Sequence, residues 1–298
     1  MEIKFTNRET GLLEVEKVYG EKMVEWLYGS QVGNAISAIL IRPWLSQLYG
    51  WWQDTPFSKK KVNSFIKKFD INMTEYETQS ENSTDLFESF NQFFIRKFKK
   101  GARPFDSREN VFCAPCEARY FGYDSVKESE LIPVKGKWLL PEMVVSNEKW
   151  NETFKGGPMV LARLCPVDYH RYHYPDDGEV LDYYPVKGDL HSVNPLALKN
   201  CPDIFARNER RVTILETKNF GKLAYVEVGA ICVGKIVQSN FNESFKRGEE
   251  KGYFLFGGST VIVYGEEGKW TPDQDILENT KNGVETYIKI GKGIGSKV

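Results

Sequence analysis

The chain has 298 residues, 41% hydrophobic and 27% charged, enough to bury a sizeable core in one large domain or two small ones. Its Lys+Arg 40 against Asp+Glu 41 leave a net charge of −1, so no basic field exists for nucleic acid, and that class of partner is set aside. The N-terminus opens polar and charged, unlike a cleavable leader. The longest apolar run, Ala35 to Ile41, is broken by Ser37 and falls short of the ~20 residues that span a bilayer.

Residues 14–28 carry Val15, Val18, Tyr19, Met23, Trp26 and Leu27 at helical spacing. A second helical pattern covers 32–51, through Val32, Ile36, Ile39, Leu40, Trp44, Leu45, Leu48 and Trp51, with a kink at Pro43. Trp26, Trp44, Trp51 and Trp52 fall close together, and Lys59-Lys60-Lys61 and Lys67-Lys68 follow. Tryptophans beside lysines on an amphipathic helix suit a membrane interface, and they suit equally a helical hairpin packed on the rest of the protein. Residues 84–98 predict the clearest helix, with Leu86, Phe87, Phe90, Phe93, Phe94 and Phe98 on one stripe, Thr84 or Asp85 as cap, and Gly101 and Pro104 as stop.

From 111 onward, short β-branched and aromatic runs alternate with Gly, Pro and Asn. Met159–Leu161, Gly178–Tyr184, Arg211–Glu216, Leu223–Ile231 and Val261–Tyr264 read as strands. The last residues, Gly291 to Val298, read as a frayed tail. The expected class is α+β, with a helical N-terminal part over 1–105 and a β-rich domain over 106–298.

The cysteines Cys113, Cys116, Cys165, Cys201 and Cys232 are odd in number and dispersed, the pattern of free thiols in a reducing compartment. Cys113-x-x-Cys116 has no second pair and no histidine nearby in sequence, which argues against zinc. All 3 histidines lie between His170 and His191. His170 and His173 stand in Leu164-Cys165-Pro166-Val167-Asp168-Tyr169-His170-Arg171-Tyr172-His173, and imidazoles are the side chains best suited to move protons near neutrality. Asp168 could orient one of them. His191 or Glu117 could complete a metal set, but Pro166 and Pro175 disfavour the helix such a pair would need, so no metal is expected.

The stretch Phe256-Gly257-Gly258-Ser259-Thr260 precedes the β-branched Val261-Ile262-Val263. In isolation it reads as a glycine-rich turn between strands. Chemically, it also places a hydroxyl at a strand's mouth, next to a peptide carbonyl that no side chain shields.

These two motifs resemble the phosphatidylserine decarboxylase proenzyme family. So do Phe93-Phe94-Ile95-Arg96-Lys97-Phe98-Lys99-Lys100-Gly101-Ala102-Arg103-Pro104, Gly188-Asp189-Leu190-His191-Ser192-Val193-Asn194-Pro195 and Val226-Glu227-Val228-Gly229-Ala230, in the family's order. Glu16-Lys17-Val18-Tyr19-Gly20-Glu21 is similar to its longer bacterial branch. The resemblance implies a β-rich catalytic domain of paired lipoyl-like sheets. It implies autocatalytic serinolysis at Gly258–Ser259, giving a β subunit of residues 1–258 and an α subunit of 259–298. Ser259 would become a pyruvoyl group, the only cofactor, with neither metal nor pyridoxal phosphate. That group would serve as electron sink in converting phosphatidylserine to phosphatidylethanolamine.

By the same resemblance, His173 is the processing base and His170 serves the decarboxylation half. Glu117 stands where the family has an aspartate that completes the serine–histidine–acid set; its longer side chain must retract to hold an imidazole. Asp168, His191 and Phe256 are candidate pocket residues. The implied assembly is a β/α heterodimer, alone or doubled, bound peripherally to an anionic membrane on its cytoplasmic face. The rival readings are a pyruvoyl-dependent decarboxylase of a soluble amino acid and an uncut, non-catalytic lipid-binding homologue.

Overall fold

A computed structural model describes residues 3–16, 50–78, 87–126, 139–193, 204–230, 235–239, 242–257 and 259–298. The strands are β1 (Lys4–Asn7), β2 (Leu12–Val15), β3 (Val111–Cys113), β4 (Ala118–Tyr123), β5 (Met159–Leu164), β6 (Arg171–His173), β7 (Gly178–Val186) and β8 (Arg210–Thr217). There follow β9 (Gly221–Val228), β10 (Ile236–Gln238), β11 (Ser244–Phe245), β12 (Glu250–Phe254), β13 (Ser259–Gly265), β14 (Trp270–Pro272), β15 (Glu285–Ile288) and β16 (Gly293–Lys297). The expected α+β class, rich in sheet, holds.

The Val261-Ile262-Val263 run lies in β13, every residue of which is buried. A strand buried on both faces reads as a continuous apolar run, as this one does. It occupies the middle of a 10-stranded sheet in the order β11-β7-β8-β9-β13-β5-β4-β15-β1-β2. β13 pairs antiparallel with β9 and β5, and the registers set Ser259 opposite Leu164 and Thr260 opposite both Arg163 and Val228. Two 3-stranded sheets, β10-β12-β6 and β14-β16-β3, complete the β structure among the described residues.

Among the described residues the helical side is smaller. The helix Lys60–Phe69 turns Val62, Phe65 and Phe69 inward, against Phe87, Phe90, Phe93 and Phe94 of the next segment and Phe256 of the loop before β13. This phenylalanine cluster lies between the helical surface and the first residue of β13. Among the described residues no helix is long and apolar enough to cross a membrane.

Three expectations change. Glu14 and Val15 belong to β2, paired with Phe5 and Lys4, and Glu16 N–H donates to the Ile3 carbonyl, rather than entering a helix; residues 17–28 of that expected helix, and 32–49 of the one expected over 32–51, lie outside the described residues. The helix expected over 84–98 spans Phe90–Phe94, capped by the Ser89 hydroxyl on the Gln92 N–H, with 84–86 outside the described residues. It stops because the chain beyond pairs with residues 75–77: Glu77 N–H donates to the Lys97 carbonyl and Lys99 N–H to that of Glu75. Residues 293–297, read as part of a frayed tail, form β16 between β14 and β3, where Ile294 is fully buried.

Candidate active site

Ser259 is the first residue of β13 and is fully buried. The loop reaches it through Gly257, whose φ of 146° lies in the region that glycine holds without strain. Since Ser259 faces Leu164 across the sheet, the turn that ends β5 arrives beside the serine hydroxyl. In that turn Asp168 N–H donates to the Cys165 carbonyl at 2.9 Å, and Cys165 N–H donates to Asp168 Oδ2 at 2.6 Å.

The Cys165 carbonyl meets His170 Nε2 at 2.9 Å. A carbonyl only accepts, so this bond assigns the proton to Nε2 and leaves the Nδ1 lone pair free for a donor. Nδ1 lies 3.3 Å from Ser259 Oγ. The arrangement is a hydroxyl facing a neutral base, with a backbone carbonyl orienting that base. Phe94 stacks on the imidazole at 3.8 Å and 22°. Burial, with the nearby Arg96 charge adding to it, pushes His170 down to about 3. It is therefore a neutral proton acceptor at any ordinary pH.

Arg96 supports the turn from outside, donating to the carbonyls of Val167 at 2.8 Å and Asp168 at 3.1 Å. From inside, Arg119 Nη1 holds Asp168 Oδ2 at 2.7 Å. Burial nevertheless lifts Asp168 to about 6. Behind Arg119 lies a buried ion cluster. Glu16 Oε2 is 3.2 Å from Arg119 Nε and 2.6 Å from Arg163 Nη2, which also binds Glu285 at 2.5 Å. Burial opposes ionisation of Glu16, but the two guanidiniums overcome it and hold the carboxyl at about 2.

Of the residues expected at the site, the structure brings together Ser259, His170, Asp168 and Phe256. Phe256 packs edge-on to Phe90 and Phe94, each at 5.0 Å, and forms part of the wall. His173 is turned elsewhere: its Nδ1 donates to the Gly248 carbonyl at 2.8 Å and its Nε2 accepts from Tyr169 O–H at 3.3 Å. Glu117 is held by Arg103 Nε at 2.7 Å and by the Tyr287 hydroxyl at 3.0 Å. In this geometry it orients Arg103, which also binds Glu75 at 2.9 Å, rather than an imidazole. Arg103, Glu117, Arg119, Asp168 and Tyr287 line a cleft of about 460 Å³. His191 is clamped through its backbone by Asn208 and has Asp189 Oδ2 at 4.0 Å from Nε2. Asn208 also bonds Gly229, one residue beyond the Val228 that pairs with Thr260, so His191 belongs to the same end of the sheet.

Among the described residues no group of three or more His, Cys, Asp and Glu could hold a metal ion. Cys113, Cys116 and Cys165 are buried free thiols, and burial pushes Cys116 up to about 12. The ion cluster escaped the sequence reading, although a signal was present. Arg119 and Arg163 interrupt otherwise apolar strand runs, and a buried arginine needs its guanidinium paired with acceptors, which carboxylates supply here.

The chain is similar to known proteins over nearly its whole length. A model of the family described as phosphatidylserine decarboxylase matches residues 90–296. The chain is 40% identical over 298 residues to the phosphatidylserine decarboxylase proenzyme of Clostridium novyi (strain NT), covering 99% of this chain and 100% of the relative. It is 40% identical over 296 residues to that of Clostridium tetani (strain Massachusetts / E88), covering 99% and 98%. A protein of the same name from Fusobacterium nucleatum subsp. nucleatum is 40% identical over 297 residues, covering 99% and 98%.

Proposed function

The chain belongs to the phosphatidylserine decarboxylase family, and from its site we propose that it is a proenzyme that cuts itself between Gly258 and Ser259 and then converts phosphatidylserine to phosphatidylethanolamine. The observation that carries this reading is the buried Ser259 hydroxyl facing the Nδ1 of His170 at 3.3 Å.

Ser259 Oγ gives its proton to His170 as it attacks the Gly258 carbonyl carbon. The peptide C–N bond breaks, the nitrogen of residue 259 takes the proton, and an ester joins Gly258 to the serine oxygen. Removal of the Cα hydrogen of residue 259 expels the Gly258 carboxylate and leaves dehydroalanine, whose hydrolysis releases ammonia. The residues present fit the resulting pyruvoyl group: a two-carbonyl unit at position 259 needs no more room than the buried seryl residue it replaces. Once formed, the group supplies an electron sink for loss of carbon dioxide from an amino acid headgroup.

His170 then remains with Nδ1 facing residue 259, where it can take up a proton and return it to the reacting carbon within the cycle. Phe90, Phe94 and Phe256 keep the site dry, which favours departure of a charged carboxylate as neutral gas. Asp168 fixes the turn that orients His170, while Glu117 and His173 support the adjoining walls. The two pieces, 1–258 and 259–298, stay together because β13 remains paired on both sides, to β9 and β5 of the upstream piece.

The lipid part of the proposal is supported by an aromatic and basic surface. Trp51 is 66% exposed and Phe57 77%, beside the lysines of the helix Lys60–Phe69, and Lys61 Nζ lies 3.9 Å from the Trp52 ring centroid. Exposed aromatics beside lysines suit an anionic bilayer surface, each lysine contributing about 1 kcal/mol there. The inner face of the same helix reaches His170 through the phenylalanine cluster, so a lipid held at this surface lies over the reacting end of β13.

The test is the intact mass of purified protein, followed by incubation with phosphatidylserine vesicles. Two fragments parting after Gly258, together with release of carbon dioxide from the vesicles, are expected. An uncut chain sinks the enzyme reading, and turnover of free amino acids with none of lipid sinks the substrate.

A further inference from the structure

The loop before Ser259 is fixed by a residue that the reaction itself does not use. Asn91 is 1% exposed and spends its whole amide on three partners. Its Oδ1 accepts from Phe256 N–H at 2.9 Å, and its Nδ2 donates to the Gly50 carbonyl at 3.2 Å and to Asp54 Oδ1 at 2.8 Å. Phe256 precedes Ser259 by three positions, and Gly257 in between has the 146° φ that sets the direction of the chain.

We propose that Asn91 is a positioning residue for self-cleavage, acting through the Phe256 N–H to hold Ser259 against His170. The inference rests on the self-cleavage reading. A neighbouring contact supplies a control. Phe90 N–H donates to Ser58 Oγ at 2.9 Å, so Ser58 ties the same short helix to the same surface segment without touching the loop. Asn91 alone of the two reaches both.

The ring of Phe256 is already gripped by Phe90 and Phe94, and the Asn91 bond fixes its backbone as well. A ring can pivot in an apolar pocket, while a buried N–H that loses the acceptor holding it is driven to move toward another. Loss of that bond therefore displaces the scissile stretch without emptying the core.

The experiment is a time course of self-cleavage after cell-free synthesis of the full chain. Thermal unfolding is measured on the same substitutions in an uncut Ser259→Ala background. Asn91→Asp, made throughout together with Asp54→Asn so that no two carboxylates face each other, keeps an oxygen for Phe256 N–H, whereas Asn91→Leu loses all three bonds. Since ~1 Å of misplacement can cost ~100-fold, Asn91→Leu should slow cleavage by roughly 10- to 100-fold. Asn91→Asp and Ser58→Ala should stay within about 3-fold of the parent even where their melting temperatures fall, because neither loses the loop bond. If Asn91→Leu does not fold, Asn91→Ser, too short for the same reach, takes its place with the same expectation.

Cleavage of Asn91→Leu at the parent rate overturns the inference. So does slowing of Ser58→Ala and Asn91→Asp to the same extent, since general destabilisation would then be the cause. A parent chain that does not cut at all overturns the self-cleavage reading instead.

Discussion

Replacing His170 with alanine should all but abolish self-cleavage. The imidazole Nδ1 is 3.3 Å from Ser259 Oγ, and no second base is bonded to that hydroxyl among the described residues. Positioned general bases contribute typically ~10²–10⁴-fold, so the half-time should lengthen by that factor. The depression of His170 from 6.5 to about 3 corresponds to roughly 5 kcal/mol against a resting imidazolium. The proton must therefore pass on to the departing nitrogen rather than stay. The cleavage rate should be flat from about pH 5 to 8, because the base is neutral throughout.

The same depression makes a stability prediction. Between about pH 3 and 6.5 the unfolded chain binds a proton at this position that the folded chain refuses. Stability therefore rises with pH across that window, by up to ~1.4 kcal/mol per unit, and is fully present above 6.5. His173, also lowered by burial, acts in the same direction. Urea unfolding of the Ser259→Ala chain at pH 5 and 7 should show a steeper loss with His170 present than with His170→Ala. The gel time course decides the assignment. If His170→Ala cuts at the parent rate while His173→Ala does not, the base is the one the family resemblance implies, and the loop must rearrange before cleavage.

Arg163→Met should be among the most damaging substitutions, costing about 3–5 kcal/mol in chemical denaturation, because it leaves Glu16 and Glu285 buried without their shared cation. Restoration of much of that loss by adding Glu285→Gln would identify unpaired charge as the cause; no restoration would point to packing. Glu117→Asp withdraws the carboxylate from Arg103 and Tyr287 and should lower stability by about 1 kcal/mol while changing the cleavage rate less than about 3-fold. Marked acceleration of cleavage in that variant would mean that the acid acts on an imidazole, contrary to the geometry.

The chain's strand content was legible residue by residue. Val261-Ile262-Val263, Gly178–Tyr184 and Arg211–Glu216 carry β-branched and aromatic side chains whose preference is local, and all fall in strands. The Gly-Gly-Ser-Thr motif and the paired histidines were visible for the same reason, since their chemistry is carried by residue type. The C-terminal Gly293–Lys297 escaped because its strand depends on partners at 111–113 and 270–272 and not on its own glycine-rich composition.

Which histidine meets the serine was decided only by tertiary structure. Two imidazoles three residues apart are equivalent in sequence; the register that sets Ser259 opposite Leu164 brings the Cys165–Asp168 turn, and with it His170, to the hydroxyl. The clamp on Glu117 likewise comes from Arg103 and Tyr287, the latter 170 positions away. Local sequence specifies the strands and the reactive groups. The pairing of distant strands places those groups, because a slip of one residue in register would turn the serine to the opposite face of the sheet.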